Sequence, residues 1–514
     1  HDGLGSTHHS PEGLGIEKMS IQKHFLSDVR FLELGDGFSD TITVPQFPKL
    51  TLRFRNQPWA MRVGLGQLSE DEWLQHMGAL APIPGNLQAR LALRYHGHQF
   101  QSYNPNLGDG RGILHAQMRD PVDQRLLDLG TKGSGTTPWS RGGDGRLTLK
   151  GGVREILATE MLEALGVNTS KTFSIVETHE NLVRYDEPSP TRSCVLVRLS
   201  HSHVRFGSFQ RLQYFKDKER LNKLVEYSCT HLVEGIEPNC ENLPLALFEK
   251  VVASAAQTCA AWMVAGFVHG VLNTDNMNIT GESFDYGPWR FIPNCDPNFV
   301  AAYFDHTGLY RYSAQPDAVA WNLARLAETF SMLCPLDDLQ SALAAYGPQF
   351  SRSLQLQLLK RLGLESKGAE TDGRFAVDLF RYLESSRIDF DQFFHDWFGG
   401  PLSEYRATQS PSSHAYLGKS FDSVREHLLG ASPTNPEAIN SPAFSKQAAC
   451  SMHIDEVESI WSQIDEHDDW SFLHNKVREV RELGAALGNG IVQPANLPCA
   501  FTEQASNNTK TKPH

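Results

Sequence analysis

Between residues 112 and 132 the chain carries two apolar, β-prone runs, 112–118 and 125–132, separated by Asp120-Pro121-Val122-Asp123. Asp and Pro there favour a turn, so the pattern predicts two strands joined end to end. Val153, Ile156, Leu157, Met161 and Leu165 then follow the i, i+3, i+4 spacing of one face of a helix that Gly166 is placed to stop. Residues 193–200 return to strand character, with Cys194, Leu196 and Arg198 on one face. Beyond Leu243 the pattern is mainly helical. The weakly polar run 251–268 predicts a buried core helix, because a membrane span needs about 20 predominantly apolar residues. Segments 406–413 and 430–442, rich in Pro, Ser and Gly, predict loops. The last segment predicts one amphipathic helix, through Ile454, Val457, Trp461 and Ile464, and a disordered tail from Glu503.

Composition narrows the class. At about 150 residues per domain, 514 residues suggest three domains or one two-lobed enzyme. The net charge of −13 disfavours a general nucleic-acid or anionic-membrane surface, although local basic pockets remain open. Eight scattered cysteines without a CxxC pair suit buried thiols in a reducing compartment. Residues 1–20, rich in Gly and His, have neither an apolar signal core nor an Arg-rich transit pattern, and Met19 is a candidate start. A cytoplasmic location is expected.

The candidate chemistry lies between residues 107 and 287. Leu107-Gly108-Asp109-Gly110-Arg111-Gly112 is a glycine loop that lets backbone N–H groups approach phosphate, though most such loops are merely turns. Lys132 ends the strand one hairpin later, and Glu155 on the next helix is placed to pair with it. Each could be an ordinary surface charge. Their order, however, is that of a kinase small lobe. Further on, His269-Gly270-Val271-Leu272-Asn273-Thr274-Asp275-Asn276 and Asp285-Tyr286-Gly287 stand where kinases carry a catalytic loop and a metal-binding Asp. Asn276 and Asp285 supply hard oxygen donors suited to Mg²⁺ shared with phosphates. Val271 occupies the position of the kinase base and accepts no proton, which leaves Asp275 as the nearest carboxylate.

At this point the chain resembles the selenoprotein O family, protein adenylyltransferases with a pseudokinase fold. The matching stretches are Tyr95-His96-Gly97-His98-Gln99-Phe100, 107–111, Lys132-Gly133-Ser134-Gly135, 137–146, Arg154-Glu155, Ser202-His203-Val204-Arg205-Phe206-Gly207, 269–277 and Asp285-Tyr286-Gly287-Pro288. The resemblance implies an α+β, bilobal, protein-kinase-like fold with a mainly β small lobe, a mainly helical large lobe and extensions at both ends. Expected boundaries are a flexible segment 1–20, a kinase-like domain 21–430 (small lobe about 50–215, large lobe about 216–430) and a divergent, partly disordered segment 431–514.

The resemblance also implies that ATP binds reversed and gives AMP to Ser, Thr or Tyr hydroxyls of protein substrates. Gly108, Gly110, Arg111, Lys132, Asp144, Gly145, Arg198, Arg205 and Asp285 would contact ATP. Asn276 and Asp285 would hold Mg²⁺, with Mn²⁺ as the alternative ion. Asp275 would accept the proton, and Glu155 would keep its ion pair with Lys132. Departures are Thr136 where the family usually has Arg, Gly151-Gly152 for a Ser-rich pair, Trp289-Arg290, and a missing C-terminal CxxC around Cys499. From about Gly430 onward no motif matches. The alternatives are a nucleotide-binding scaffold without transfer activity and a conventional phosphotransferase, which Val271 disfavours. His96, His98, His201, His203 and His269 are read as hydrogen-bonding groups, since no Cys or HExxH spacing accompanies them. Asn507-Asn508-Thr509 fits a glycosylation pattern that an intracellular chain would leave unused.

Overall fold

The computed structural model describes residues 19–495; the N-terminal segment up to 18, Cys499, the tail from Glu503 and Asn507-Asn508-Thr509 lie outside them. Strands dominate the chain up to residue 200: β1 (Leu26–Ser27), β2 (Ser39–Thr41), β3 (Thr51–Arg55), β4 (Leu91–Leu93), β5 (Gly97–Gln99), β6 (Ser102–Asn104), β7 (Leu114–Arg119), β8 (Leu126–Lys132), β9 (Leu147–Thr148), β10 (Lys171–Leu182) and β11 (Thr191–Ser200). All but the β5–β6 hairpin join one antiparallel sheet of order β2-β4-β7-β8-β11-β10-β3, with β1 on β7 and β9 on β11. The fold is α+β. The two strands expected around Asp120-Pro121-Val122-Asp123 are β7 and β8, paired from Leu114↔Gly130 to Arg119↔Leu126.

Strand alternation divides β11 between two cores. Cys194 and Leu196 pack under α1 (Leu149–Ala164), while Val195, Val197 and Leu199 face the layer around Trp59, Trp73 and Met77. The helix α1 starts where the Thr148 hydroxyl accepts the Gly151 N–H, and the chain leaves it through Gly166 at φ +80°. Gly152 lets it lie close on the sheet, for a Cβ there would stand 2.8 Å from Cys194 Sγ. The departure at Gly151-Gly152 therefore serves packing.

After residue 200 the chain is mostly helical, beginning with α2 (Phe206–Tyr214). The long buried helix α3 (Leu243–Ala265) corrects the expected 251–268. Asn242 caps it earlier, and Gly266 at φ +69° ends it. Residues Phe267–Val268 pair instead with Arg290–Phe291 as β12 and β13, just before the loop from His269. A second aromatic-rich core fills the helical region around Phe390, Phe393, Trp397 and Phe421.

Two loop expectations shift. A helix over Glu404–Gln409 occupies the first part of 406–413, because Ala407 is buried and Arg406 donates to the His395 carbonyl. Segment 430–442 is irregular apart from short 3-10 turns. The last segment holds two helices where one was expected: α4 (Ile454–His467) and α5 (Ser471–Ala486). Leu473, Val477, Val480 and Leu483 give α5 its own apolar face, and that face packs into the core beneath α1.

Candidate active site

Lys132 at the end of β8 pairs across the sheet with Leu196, and Arg198 pairs with Gly130. The two cations are thus diagonal neighbours on one face of the sheet and enter one cleft. On the other side of that space α1 presents Glu155, which is 1% exposed. Lys132 Nζ donates to Glu155 Oε1 at 2.5 Å and lies 3.1 Å from Asp285 Oδ1. Arg198 completes the cluster, 3.4 Å from Glu155 Oε1 and 3.3 Å from Asp285 Oδ1. Two carboxylates and two cations therefore share one buried network. Asp285 is 30% exposed towards the cleft and sits at φ +62°, a left-handed backbone that Asp tolerates. Burial opposes its charge, but Lys132, Arg198, Arg205 and Arg111 outweigh burial and hold its carboxyl well below the usual range.

The glycine loop is fixed from behind by the motif that follows it. Thr137 and Ser140 hydroxyls donate to the carbonyls of Asp109 and Gly110, both at 2.5 Å. Gly133 N donates to the Arg111 carbonyl at 2.7 Å. The Trp139 ring lies over Gly108, where a Cβ would be 2.4 Å from the indole. Gly145, at φ +68°, is pressed against the backbone of Gly135 and Thr136. Asp144 is held by Arg184 at 2.8 Å; burial opposes its charge, and Arg184 keeps its carboxyl below the usual range.

The loop from His269 is positioned by several buried contacts. His269 Nε2 bonds the Phe284 carbonyl at 2.9 Å, tying that loop to the Asp285 turn. The β5–β6 hairpin lies across it: His98 N donates to Thr274 Oγ1 and Phe100 N to Asn273 Oδ1. Arg205 donates to the Asp275 carbonyl at 2.9 Å and approaches Asp109 at 3.5 Å. Asp275 Oδ1 is buried and has no hydrogen-bond partner among the described residues. Burial, partly offset by Arg205, pushes the Asp275 carboxyl up to about 6. Val271, expected at the kinase base position, accepts the Asn276 amide N–H through its carbonyl at 2.9 Å, a bond that does not use the Asn276 side-chain oxygen.

The result is a cleft of about 830 Å³. Gly108, Gly110, Arg111, Lys132, Asp144, Gly145, Arg198, Arg205, Asp275 and Asp285 all line it; Glu155 is buried behind Lys132, and Asn276, partly exposed, follows the lining residue Asp275. Seven Arg and Lys side chains against five Asp make the lining cationic within an anionic protein, as a polyphosphate requires. Among the described residues no group of three or more His, Cys, Asp or Glu is placed to hold a metal. Asn276 and Asp285 carry oxygen donors of the hard kind that a divalent ion takes. The five histidines singled out in the sequence make separate contacts: His96 with Tyr103, His98 with Gln210, His201 (through its backbone N–H only) with Glu282, His203 with Asp128 and His269 with the Phe284 carbonyl.

Sequence reasoning missed part of this wall. Asp109 is half-buried beside Arg205, and Trp139 and Arg141, from the 137–146 stretch, line the same wall. Arg184, Tyr185 and Asp186 come from the β10–β11 loop, brought to the cleft by the pairing of the flanking strands and by the Arg184–Asp144 ion pair rather than by a local motif. Trp289 is also structural: Arg154, beside Glu155, stacks on it at 4.7 Å and donates to its carbonyl, so α1 grips the segment after Asp285. The described cysteines are free, five of them buried. No helix among the described residues is long and apolar enough to cross a membrane.

Comparison with known proteins gives the same direction. The chain is 40% identical over 462 residues to the protein nucleotidyltransferase YdiU of Gloeobacter violaceus, covering 88% of this chain and 94% of that protein. It is 44% identical over 365 residues to the protein of the same name from Trichormus variabilis, covering 71% and 74%. For that of Synechocystis sp. the identity is 40% over 473 residues, covering 87% and 96%. The family model described as protein adenylyltransferase SelO matches residues 23–481, extending far beyond the last matching motif at 285–288 and past residue 430. With that match running from the strand sheet through the cationic cleft to α5, the chain belongs to the SelO family of protein adenylyltransferases.

Proposed function

We propose that this protein transfers AMP from Mg-ATP to hydroxyl side chains of protein substrates, with the triphosphate lying γ-end inward. The observation that carries this reading is the buried Glu155–Lys132–Asp285–Arg198 network, with an unpartnered Asp275 carboxylate oxygen on the same cleft. The arrangement supports a protein-kinase-like, bilobal organisation, with a small lobe at about 50–215 and a large lobe at about 216–430. The cations lie on the cleft floor, so the β- and γ-phosphates belong there. The α-phosphate then faces Asp275.

Lys132, Arg198 and Arg205 would neutralise the phosphates that depart as pyrophosphate, and the guanidinium forks suit bidentate contact. Glu155 keeps the Lys132 ammonium in place. Gly108, Gly110 and Arg111 would lie along the nucleotide, as would Asp144 and Gly145. Asp275 takes the proton from the acceptor Ser, Thr or Tyr; the hydroxyl oxygen bonds to the α-phosphorus, and the bond to pyrophosphate breaks. Asn276 and Asp285 would hold Mg²⁺ or Mn²⁺, which when bound supplies charge neutralisation across the phosphates. Positioning and electrostatics thus account for the chemistry.

The test is incubation with Mg²⁺ and ATP labelled separately at the α- and γ-phosphate, counting label retained on protein. Retention from the α position alone is expected. Retention from the γ position would make the protein a phosphotransferase, and ATP binding with no label from either would favour a nucleotide-binding scaffold.

A further inference from the structure

The helix that delivers Glu155 is gripped from its far side by the C-terminal hairpin. Arg481 on α5 binds Glu160 through two hydrogen bonds, of 2.7 and 2.9 Å, and its guanidinium also reaches Asn56 Oδ1 at 3.3 Å. Gly484 brings α5 against α1, where a Cβ would stand 3.0 Å from Ala164 Cα. Asn489 donates to the Ala164 carbonyl at 2.9 Å and so caps the C-terminal end of α1. At the other end Lys150 meets Glu458 of α4 at 2.9 Å. The hairpin therefore holds α1 at both ends and in the middle.

We propose that this hairpin is a positioning clamp for the Glu155–Lys132 pair, with Arg481 and Glu160 as its positioning residues. The inference rests on the reading of Lys132 as a phosphate-binding group. Five residues separate Glu155 from Glu160, about 140° around a helix of 3.6 residues per turn, so the two carboxylates leave α1 on different faces. Glu155 points to the cleft and Glu160 to the hairpin. Glu160 is buried, with Arg481 as its ion-pair partner. Without the guanidinium a buried charge stands uncompensated, and hydrating it requires α1 to move or turn outward. That same movement withdraws Glu155 from Lys132. Glu163, held by Trp59 Nε1 and Lys171, acts as the pivot near the C-terminal end of α1.

The experiment compares full-length wild type with Arg481→Met, Arg481→Lys, Glu160→Gln and the double variant Arg481→Met/Glu160→Gln. Asp372→Asn, which breaks a distant ion pair with Arg352 in the helical region, serves as a control at matched thermal stability. ATP affinity, the kcat and KM of AMP transfer, and amide exchange of residues 149–164 are measured for each. Arg481→Met is expected to weaken ATP binding and transfer by about 3- to 30-fold and to speed exchange of 149–164, the range for residues that modulate coupling. Arg481→Lys should recover part of the loss. The double variant should recover more, because no charge is stranded. The clamp is overturned if Arg481→Met matches wild type, loses no more than Asp372→Asn, or is no worse than the double variant. If wild type transfers no AMP, the adenylyl reading falls, and ATP affinity with exchange of 149–164 still decides the clamp.

Discussion

Replacing Lys132 by Met leaves Glu155 and Asp285 to share Arg198 as their remaining close cation. Lys132 Nζ lies 2.5 Å from Glu155 Oε1 and 3.1 Å from Asp285 Oδ1, and the second oxygen of Glu155 has no other partner among the described residues. At 2.5 Å the gross attraction is about 7 kcal/mol for an effective dielectric near 20, before desolvation takes back its share. Removing one member of a buried pair typically costs about 3–5 kcal/mol. Arg198 remains 3.4 Å from Glu155, so the lower end, about 3 kcal/mol, is expected here. Lys132→Met/Glu155→Gln removes both charges and should regain about 1–3 kcal/mol over the sum of the single losses. The double variant must nevertheless stay inactive, because nothing replaces the ammonium at the phosphates. Chemical denaturation of all four proteins at pH 7 gives the coupling, and retained α-label gives transfer. Additive stability losses, or transfer by the double variant within tenfold of wild type, would refute the reasoning.

Other expectations follow from single contacts. Asp285→Ala should reduce AMP transfer by at least about a hundredfold, since it removes the anion between Lys132 and Arg198 and a cation donor; α-label retention checks this. Gly108→Ala drives a Cβ to 2.4 Å from the Trp139 ring, an overpacking of about 1–3 kcal/mol, and should raise the KM for ATP by roughly 5- to 150-fold, with a change in Trp fluorescence. His453 sits 3.6 Å from Asp391 Oδ2 and 3.8 Å from Asp389, near Glu456, while Arg361 binds the other oxygen of Asp391. Asp391, against the cost of burial, raises the His453 imidazole above its ordinary value. Its stabilisation is therefore full below about pH 6.5 and lost as pH rises through the folded value. Urea midpoints of wild type and His453→Gln should differ more at pH 6 than at pH 8, and an equal difference would count against the assignment.

Much of the candidate site was legible because its parts are short-range. Lys132 ends a strand whose turn is written in Asp120-Pro121-Val122-Asp123, and Glu155 lies on a helix whose apolar positions repeat locally. The glycine loop, the loop from His269 and the Asp285 turn each carry a motif within about ten residues. Helix ends were read less well. Gly266, in the left-handed conformation, ends α3 three residues before the expected 268, although the apolar run continues through Val268. The helix α5 was missed although Leu473, Val477, Val480 and Leu483 have helical spacing, since charged residues between them dilute the signal.

The sequence by itself determined which groups are available: a glycine loop at 107–112, cations at strand positions, hard oxygen donors at Asn276 and Asp285, and a valine at 271. Periodicity and motif spacing encode such features because they depend on near neighbours. Tertiary structure alone decided what those groups do together. Antiparallel register made Lys132 and Arg198 diagonal neighbours, burial raised Asp275, and the β10–β11 loop brought Arg184 and Tyr185 to the rim. It also set Arg481 against Glu160, 321 residues away. Contacts of that range depend on how packed surfaces fit one another, and no local pattern carries that information.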